Sequence, residues 1–367
     1  MPQPTQRPAS RGKRIVFTLV MVCLPFVLLA LIEGTASFAL FARAVRRDRV
    51  AEEVHTERDT LLGWINLPDV SRPDMYAKGI GLHTNHQRFR HRGEVTATPA
   101  PGTRRVICSG DSFTLGFGVG DAENWCALLA SDHPGIESIN MGQGGYGLDQ
   151  AYLWYLRDGL GLHPDVQIFA FILADFGRMR YTRLNGYPKP QLARSGDTVR
   201  AIGVPVPSPG LGPLFQRMQN ASRGLRTFAL FNALMGDDPR WSDPAITDSA
   251  TWEVARAALR DLARRDSIAG VKLEVVFLPM ADDYKGENAV RWRRWAKASA
   301  DRGEFAYVDL IDSFRRMAPD SVDAMFLTED AIAFHGAAGH YTVRGNRWVA
   351  DQLNQLSVIS GPGDAGP

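Results

Sequence analysis

Two residues of this 367-residue chain, Ser112 and His340, have the type and setting for acyl-transfer chemistry. Ser112 ends the run Ser109-Gly110-Asp111-Ser112, directly after the apolar stretch 105–108 (RVIC). A hydroxyl at a tight turn between strand and helix lies beside backbone N–H groups that no helical carbonyl uses. Such groups can hold an oxyanion. Taken alone, a serine there also reads as a helix cap. A serine nucleophile needs a base, and the chain has eight histidines to choose from. His340, in GHYTVRGNRW, stands just ahead of the last helical stretch, on a loop that can face the same sheet edge. Taken alone, a loop histidine is ordinary polar surface. Each residue needs the other.

Other chemistries find less support. The run Gly142-Gln143-Gly144-Gly145-Tyr146-Gly147 satisfies G-x-G-x-x-G, and Asp175 ends the next apolar stretch. A dinucleotide site would use those glycines to approach a pyrophosphate, but the fingerprint belongs in the first strand-to-helix turn, and this is the second. Asp175 reads better as a strand-end carboxylate bonded to loop N–H groups. No G-x-S-x-G elbow, P-loop or H-E-x-x-H motif occurs. The three cysteines, Cys23, Cys108 and Cys126, include no C-x-x-C, which argues against a structural zinc site and a disulfide-dense scaffold. Cys126, near Trp125 and Leu128, reads as core. The expectation is no metal and no cofactor.

These residues must be held by alternating elements. Apolar stretches at 105–108, 138–140, 166–173, 271–278 and 305–310 read as strands, and the continuous run VQIFAFIL fits a parallel sheet covered on both faces. Helical stretches are expected near 124–130, 149–157, 290–300 and 343–356. Another carries Trp252, Ala255, Leu259 and Leu262 at helical spacing. Alternation of this kind predicts a doubly wound α/β domain over 103–358, whose ligands bind beyond the carboxyl ends of the strands. Between 177 and 249 Pro, Gly and Asp break the rhythm, leaving one apolar helical stretch at 225–235, so this reads as an insertion near the active face. Within it GYPKPQL (186–192) reads as a surface loop or the lining of a groove. Residues 43–102 lack a sustained period and read as an irregular connecting segment, and 359–367 as a flexible tail. The run Arg291, Arg293, Arg294, Lys297 reads as a solvated helix face.

Lys plus Arg number 42 and Asp plus Glu 40, so there is no basic excess for nucleic-acid binding. One local bias stands out. Residues 15–32 are eighteen consecutive positions without a charge, and apolar character continues to Ala42. That reaches the ~20 residues needed to cross a bilayer as a helix. It predicts a membrane anchor over 15–42, behind a Pro-rich disordered tail at 1–14. A buried soluble helix and a cleaved signal peptide, with Ala36 and Ala39 near the cut, pass the same test. Four cations precede the span (Arg7, Arg11, Lys13, Arg14) and four follow it (Arg43, Arg46, Arg47, Arg49). The positive-inside rule is therefore tied, and a short tail ahead of a large domain favours the domain outside the cytoplasm.

Together the blocks resemble the SGNH/GDSL hydrolase superfamily, and in particular its membrane-anchored bacterial subgroup. ICSGDSFTLGFGV resembles the first block, whose GDS serine is the nucleophile, here Ser112. INMGQGGYGLDQAY resembles the second, whose glycine N–H is an oxyanion donor, here Gly145. AFILADF lies where the third block belongs, and GHYTVRGNRWVADQL resembles the fifth, whose base is here His340, followed by Gly345. LHTNHQRFR resembles an Asn-x-x-Gly-Phe-Arg segment of the anchored members. The resemblance implies a flavodoxin-like parallel sheet of the SGNH type behind one transmembrane helix. It implies a single-pass protein of the bacterial inner membrane, with its catalytic domain on the periplasmic side.

The departures are specific. The third-block Asn, a side-chain oxyanion donor, corresponds to Ala174. The fifth-block Asp, two or three residues before the His, corresponds to Ala338 or Ala337. Asp330 or Glu329 folding back, or a Ser–His dyad, would have to serve instead. The resulting expectation is a serine esterase or O-acyltransferase acting on acyl esters of cell-envelope glycans. Its alternative is a catalytically silent domain that binds glycan or scaffolds an envelope complex. Nothing in the sequence sets the substrate or the oligomeric state.

Overall fold

The expected apolar strands all form, as β1 Arg104–Gly110, β2 Ile136–Gly142, β3 Val166–Phe171, β4 Lys272–Phe277 and β5 Ala306–Asp309. The computed structural model describes residues 11–47, 52–222, 249–332 and 334–360. Most of the expected N-terminal tail, the stretch 225–235 and all but the start of the C-terminal tail lie outside them. Every pairing in the sheet is parallel, and the order is β5-β4-β3-β1-β2. The chain steps from β1 to β2 on one side, then crosses to β3 on the other. This reversal opens a crevice at the carboxyl ends of β1 and β3, where open α/β sheets bind ligands.

The helices include α1 Arg11–Arg47, α2 Ser112–Leu115, α3 Trp125–Asp132, α4 Leu148–Trp154, α5 Ala174–Arg178, α6 Gly212–Ser222, α7 Ser249–Ala269, α8 Val290–Asp301 and α9 Val343–Leu353. Strand residues alternate between two apolar layers, as the pleat requires. Ile107, Phe169 and Val275 pack with Leu148, Leu259 and Trp292 of α4, α7 and α8. Val106, Ile168 and Val276 pack with Leu129, Val349 and Leu353 of α3 and α9. The sheet is doubly wound. A disulfide, Cys108–Cys126, ties β1 to α3 across the segment that carries Ser112. It bears out Cys126 as core and adds a covalent link that spacing alone did not reveal.

The segment 43–102 is more regular than its composition suggests. Thr56–Asp59 pairs with Gly63–Asn66, and Ser71–Ala77 with Ile80–His83, as two antiparallel hairpins. Gly63–Asn66 is buried on both faces, so no polar–apolar alternation marks it as a strand. In the Asn85–Arg90 motif, Arg88 occupies the position where the resembled pattern has Gly. Its φ is +72°, the left-handed region that glycine enters without strain.

Two compact units can be distinguished, Met1–Arg49 with Leu214–Asp238, and Val50–Pro213 with Pro239–Pro367. The first contains α1, a 37-residue helix long and apolar enough to cross a membrane by length and composition. The second contains the sheet and all the candidate site residues.

Candidate active site

The serine turn is built by caps. Asp111 is the N-cap of α2, and its Oδ1 accepts the Phe113 N–H at 2.9 Å. Ser112 is therefore the first residue of α2, where an N–H has no intrahelical acceptor. The turn is braced from outside its own sequence. Arg90, whose guanidinium is fully buried, donates to the carbonyls of Leu115 (2.7 Å), Gly116 (2.6 Å) and Val119 (2.7 Å). Asn140 Nδ2 donates to Thr114 O at 2.8 Å. Gly142 allows β2 to approach closely, since a Cβ there would lie 2.0 Å from Leu115 N.

Ser112 and His340, 228 positions apart, meet: His340 Nε2 lies 2.7 Å from Ser112 Oγ. On its other side His340 Nδ1 faces the Ala337 carbonyl at 3.2 Å. A carbonyl can only accept, so Nδ1 carries the hydrogen and Nε2 is left to accept the serine proton. The ring lies beside Phe113 and Phe117, with centroids 4.6 and 5.3 Å away. Burial lowers the His340 pKa below its ordinary value, opposed chiefly by the charge of Asp111. Asp330 is not brought to the ring. Glu329 and Asp330 sit on an exposed turn, Glu329–Ala331, and among the described residues neither carboxylate bonds to His340. The chain reaches the ring through the backbone of Ala337 instead.

Gly145 sits in the loop after β2 with φ +74°, the left-handed region that glycine enters without strain. The first hairpin clamps this loop, because Trp64 Nε1 donates to Gly144 O at 2.9 Å and Tyr146 OH donates to Trp64 O at 2.6 Å. Ala174 opens α5, and its methyl offers no donor.

A buried charge network lies beneath these groups. Arg178 Nη1 contacts Asp175 Oδ1 at 2.7 Å, Tyr146 O at 2.9 Å and Asp111 Oδ2 at 3.1 Å. One guanidinium thus ties together the residue before Ser112, the residue after Gly145 and the residue after Ala174. Asp175 Oδ2 also accepts the Ile172 N–H at 3.0 Å, in line with its expected strand-end role. Burial, and then the neighbouring charge of Asp111, raise the Asp175 pKa well above the usual carboxylate range. Lys189, from the GYPKPQL loop, lines no surface. It is fully buried with its ammonium 2.5 Å from Asp149 Oδ2, and it also donates to the carbonyls of Arg178 and Pro190. A buried lysine in a Pro-flanked loop gives no sequence signal. Arg178 gave a faint one, standing three residues after Asp175 at the start of a helix.

No family model and no curated protein matches the chain. Among solved structures it is similar to a lipolytic protein of the G-D-S-L family from Desulfitobacterium hafniense, at 14% identity and a TM-score of 0.39, covering 69% of this chain and 99% of that one. An acetylxylan esterase from Geobacillus stearothermophilus, in a catalytic-mutant form, matches at 12% identity and a TM-score of 0.41, covering 70% and 95%. A lipase/acylhydrolase from Enterococcus faecalis matches at 11% and 0.39, covering 70% and 96%.

Proposed function

We propose that the chain is an SGNH-type serine hydrolase or O-acyltransferase, with Ser112 as nucleophile and His340 as general base. The observation that carries this reading is the 2.7 Å contact between Ser112 Oγ and His340 Nε2. Ser112 Oγ attacks the acyl carbonyl carbon as its proton passes to Nε2. The resulting oxyanion accepts hydrogen bonds from the N–H groups of Ser112 and Gly145. Collapse expels the alcohol, which takes the proton from Nε2, and leaves an acyl-serine. Water then attacks the acyl-serine and gives a proton to Nε2, which passes it to Ser112 Oγ as the Oγ–acyl bond breaks and the acid leaves; a sugar hydroxyl attacking in its place transfers the acyl group. Ala337 O fills the orienting role of the missing aspartate, fixing the tautomer without adding a charge. The substrate class is an acyl ester, with acylated envelope glycans as the first to test.

The same reading places α1 in the bacterial inner membrane and the catalytic unit outside the cytoplasm. The Cys108–Cys126 bond supports that side, because disulfides persist in oxidising compartments. Reporters active only outside the cytoplasm, fused after Arg49 and after Pro367, should both be active; silence of both would reverse the orientation. The activity is tested by labelling the full chain with a fluorophosphonate. Wild-type protein should label and Ser112→Ala should not. Absence of labelling in folded wild-type protein would favour the silent reading, for which the alanines at 174, 337 and 338 already speak.

A further inference from the structure

We propose that α6 is a membrane-surface helix whose apolar face lies in the headgroup–acyl boundary of the bilayer, beside α1. The inference rests on reading α1 as a membrane span. Leu214, Phe215 and Met218 fall on one face of α6, and Leu211 continues that face one turn earlier. These side chains are 36%, 62%, 40% and 64% exposed. Gln216 and Asn220 lie on the opposite arc and Gln219 at its flank; Gln216 and Arg217 are half-buried, Gln219 and Asn220 are exposed, and the buried positions are Pro213 and Ala221. The helix therefore leaves an apolar face uncovered beside a polar face that is also largely exposed, where a helix packed on an aqueous core would bury the apolar one. Such an arrangement suits a surface bathed in lipid.

Charge and connectivity select lipid as the occupant. From 199 to 236 the sequence holds no Asp or Glu, while Arg200, Arg217, Arg223 and Arg226 are present. A stretch of 38 residues with four cations and no anion complements a leaflet of anionic headgroups. Leu214–Asp238 also belongs to the same compact unit as Met1–Arg49, which contains the apolar α1. Most of α6, from Leu214 onward, thus falls in the unit that holds the segment read as spanning the bilayer.

The test uses the full chain with Cys23→Ser, since Cys23 is the free exposed cysteine among the described residues. Single cysteines at Phe215, Met218, Gln216, Asn220 and, as a control within α1, Leu28 carry an environment-sensitive fluorophore. The proteins are reconstituted into phosphatidylethanolamine–phosphatidylglycerol vesicles with or without nitroxide-labelled lipid. Labels at 215 and 218 should emit at shorter wavelength and be quenched several-fold more than those at 216 and 220. Equal, water-like signals at all four positions, with Leu28 quenched, would overturn the proposal and leave the anchor standing. A blue-shifted but unquenched label at 215 would also overturn it, in favour of a second copy covering the face. An unquenched Leu28 would overturn the reading of α1 itself, whatever α6 shows.

Discussion

Arg178→Met would remove the donor shared by Asp111, Asp175 and the Tyr146 carbonyl while keeping most of the side chain's apolar bulk. The Asp111 and Asp175 side chains are 1% and 2% exposed, so water cannot replace the guanidinium. Removing one partner of a buried ion pair costs about 3–5 kcal/mol. Here proton uptake limits the cost, because the Asp175 pKa is already raised by burial and by Asp111. Losing Arg178 raises it further, so the folded variant holds an extra proton that the unfolded chain does not. That proton's stabilisation is present at low pH and lost as pH rises through the folded pKa. The destabilisation should therefore be about 3 kcal/mol in mild alkali. In acid it should shrink toward about 1 kcal/mol, the share of the lost bond to Tyr146 O. Asp175→Asn in the same background should recover part of the loss, with a coupling of about 1 kcal/mol or more. Because Arg178 also ties the Ser112 turn to the Gly145 loop, fluorophosphonate labelling should slow by about tenfold to a hundredfold, the scale of an ångström's misplacement. Denaturation from pH 5 to 8 and labelling rates read both effects. A stability change within about 0.5 kcal/mol across that range, the size of an ordinary surface substitution, would refute the bracing role.

Ala174→Asn should raise ester turnover by restoring a side-chain N–H at the oxyanion, worth up to about 10²-fold in kcat, and the gain should vanish in Ala174→Asn/Ser112→Ala. Because burial holds the His340 pKa low, the ring stays neutral below its ordinary value of about 6.5, so the labelling rate should hold through that pH and fall only in stronger acid. The same shift makes the stability contribution of His340 complete above about 6.5 and progressively lost as pH falls toward the depressed pKa. Reducing the Cys108–Cys126 bond, which spans 18 residues, should lower stability by about 3 kcal/mol on the chain-entropy account and slow labelling, since Ser112 lies inside the loop. A melting temperature unchanged by reductant would contradict this.

The parts legible in the sequence are those whose chemistry is local. Ser112 and Gly145 lie in short runs whose order follows from strand, turn and helix, and His340 lies just ahead of a strongly patterned helix. The central strand Val166–Phe171 was legible because burial on both faces leaves it almost wholly apolar. Gly63–Asn66 is also buried on both faces, but four residues including Gly and Asn do not stand out from a turn-rich background. Lys189 is the sharpest failure, since the residues around it suggest a surface loop. Its charge is balanced by Asp149, forty positions earlier, and its other donors are taken by the carbonyls of Arg178 and Pro190. Arg90 likewise serves carbonyls on a turn far from it in sequence, and carbonyls carry no side-chain signature.

The same reasoning bears on the two departures from the hydrolase pattern. Proximity in sequence pointed to Asp330 as the replacement carboxylate, yet the group that reaches Nδ1 is the backbone oxygen of Ala337. A carbonyl fixes which nitrogen carries the hydrogen, and that is half of what an aspartate does; the other half is stabilising the imidazolium formed during attack. In this site the charge that most favours the protonated ring is Asp111, the residue before Ser112, and Arg178 opposes it. Arg178 therefore acts in two directions at once. It positions Asp111, Tyr146 and the start of α5, and its own charge weighs against the cationic base. A site built this way should prefer esters of good leaving groups, whose breakdown asks least of a protonated His340. A series of aryl and alkyl acetates would check this, with the steepest decline expected as the leaving alcohol becomes more basic.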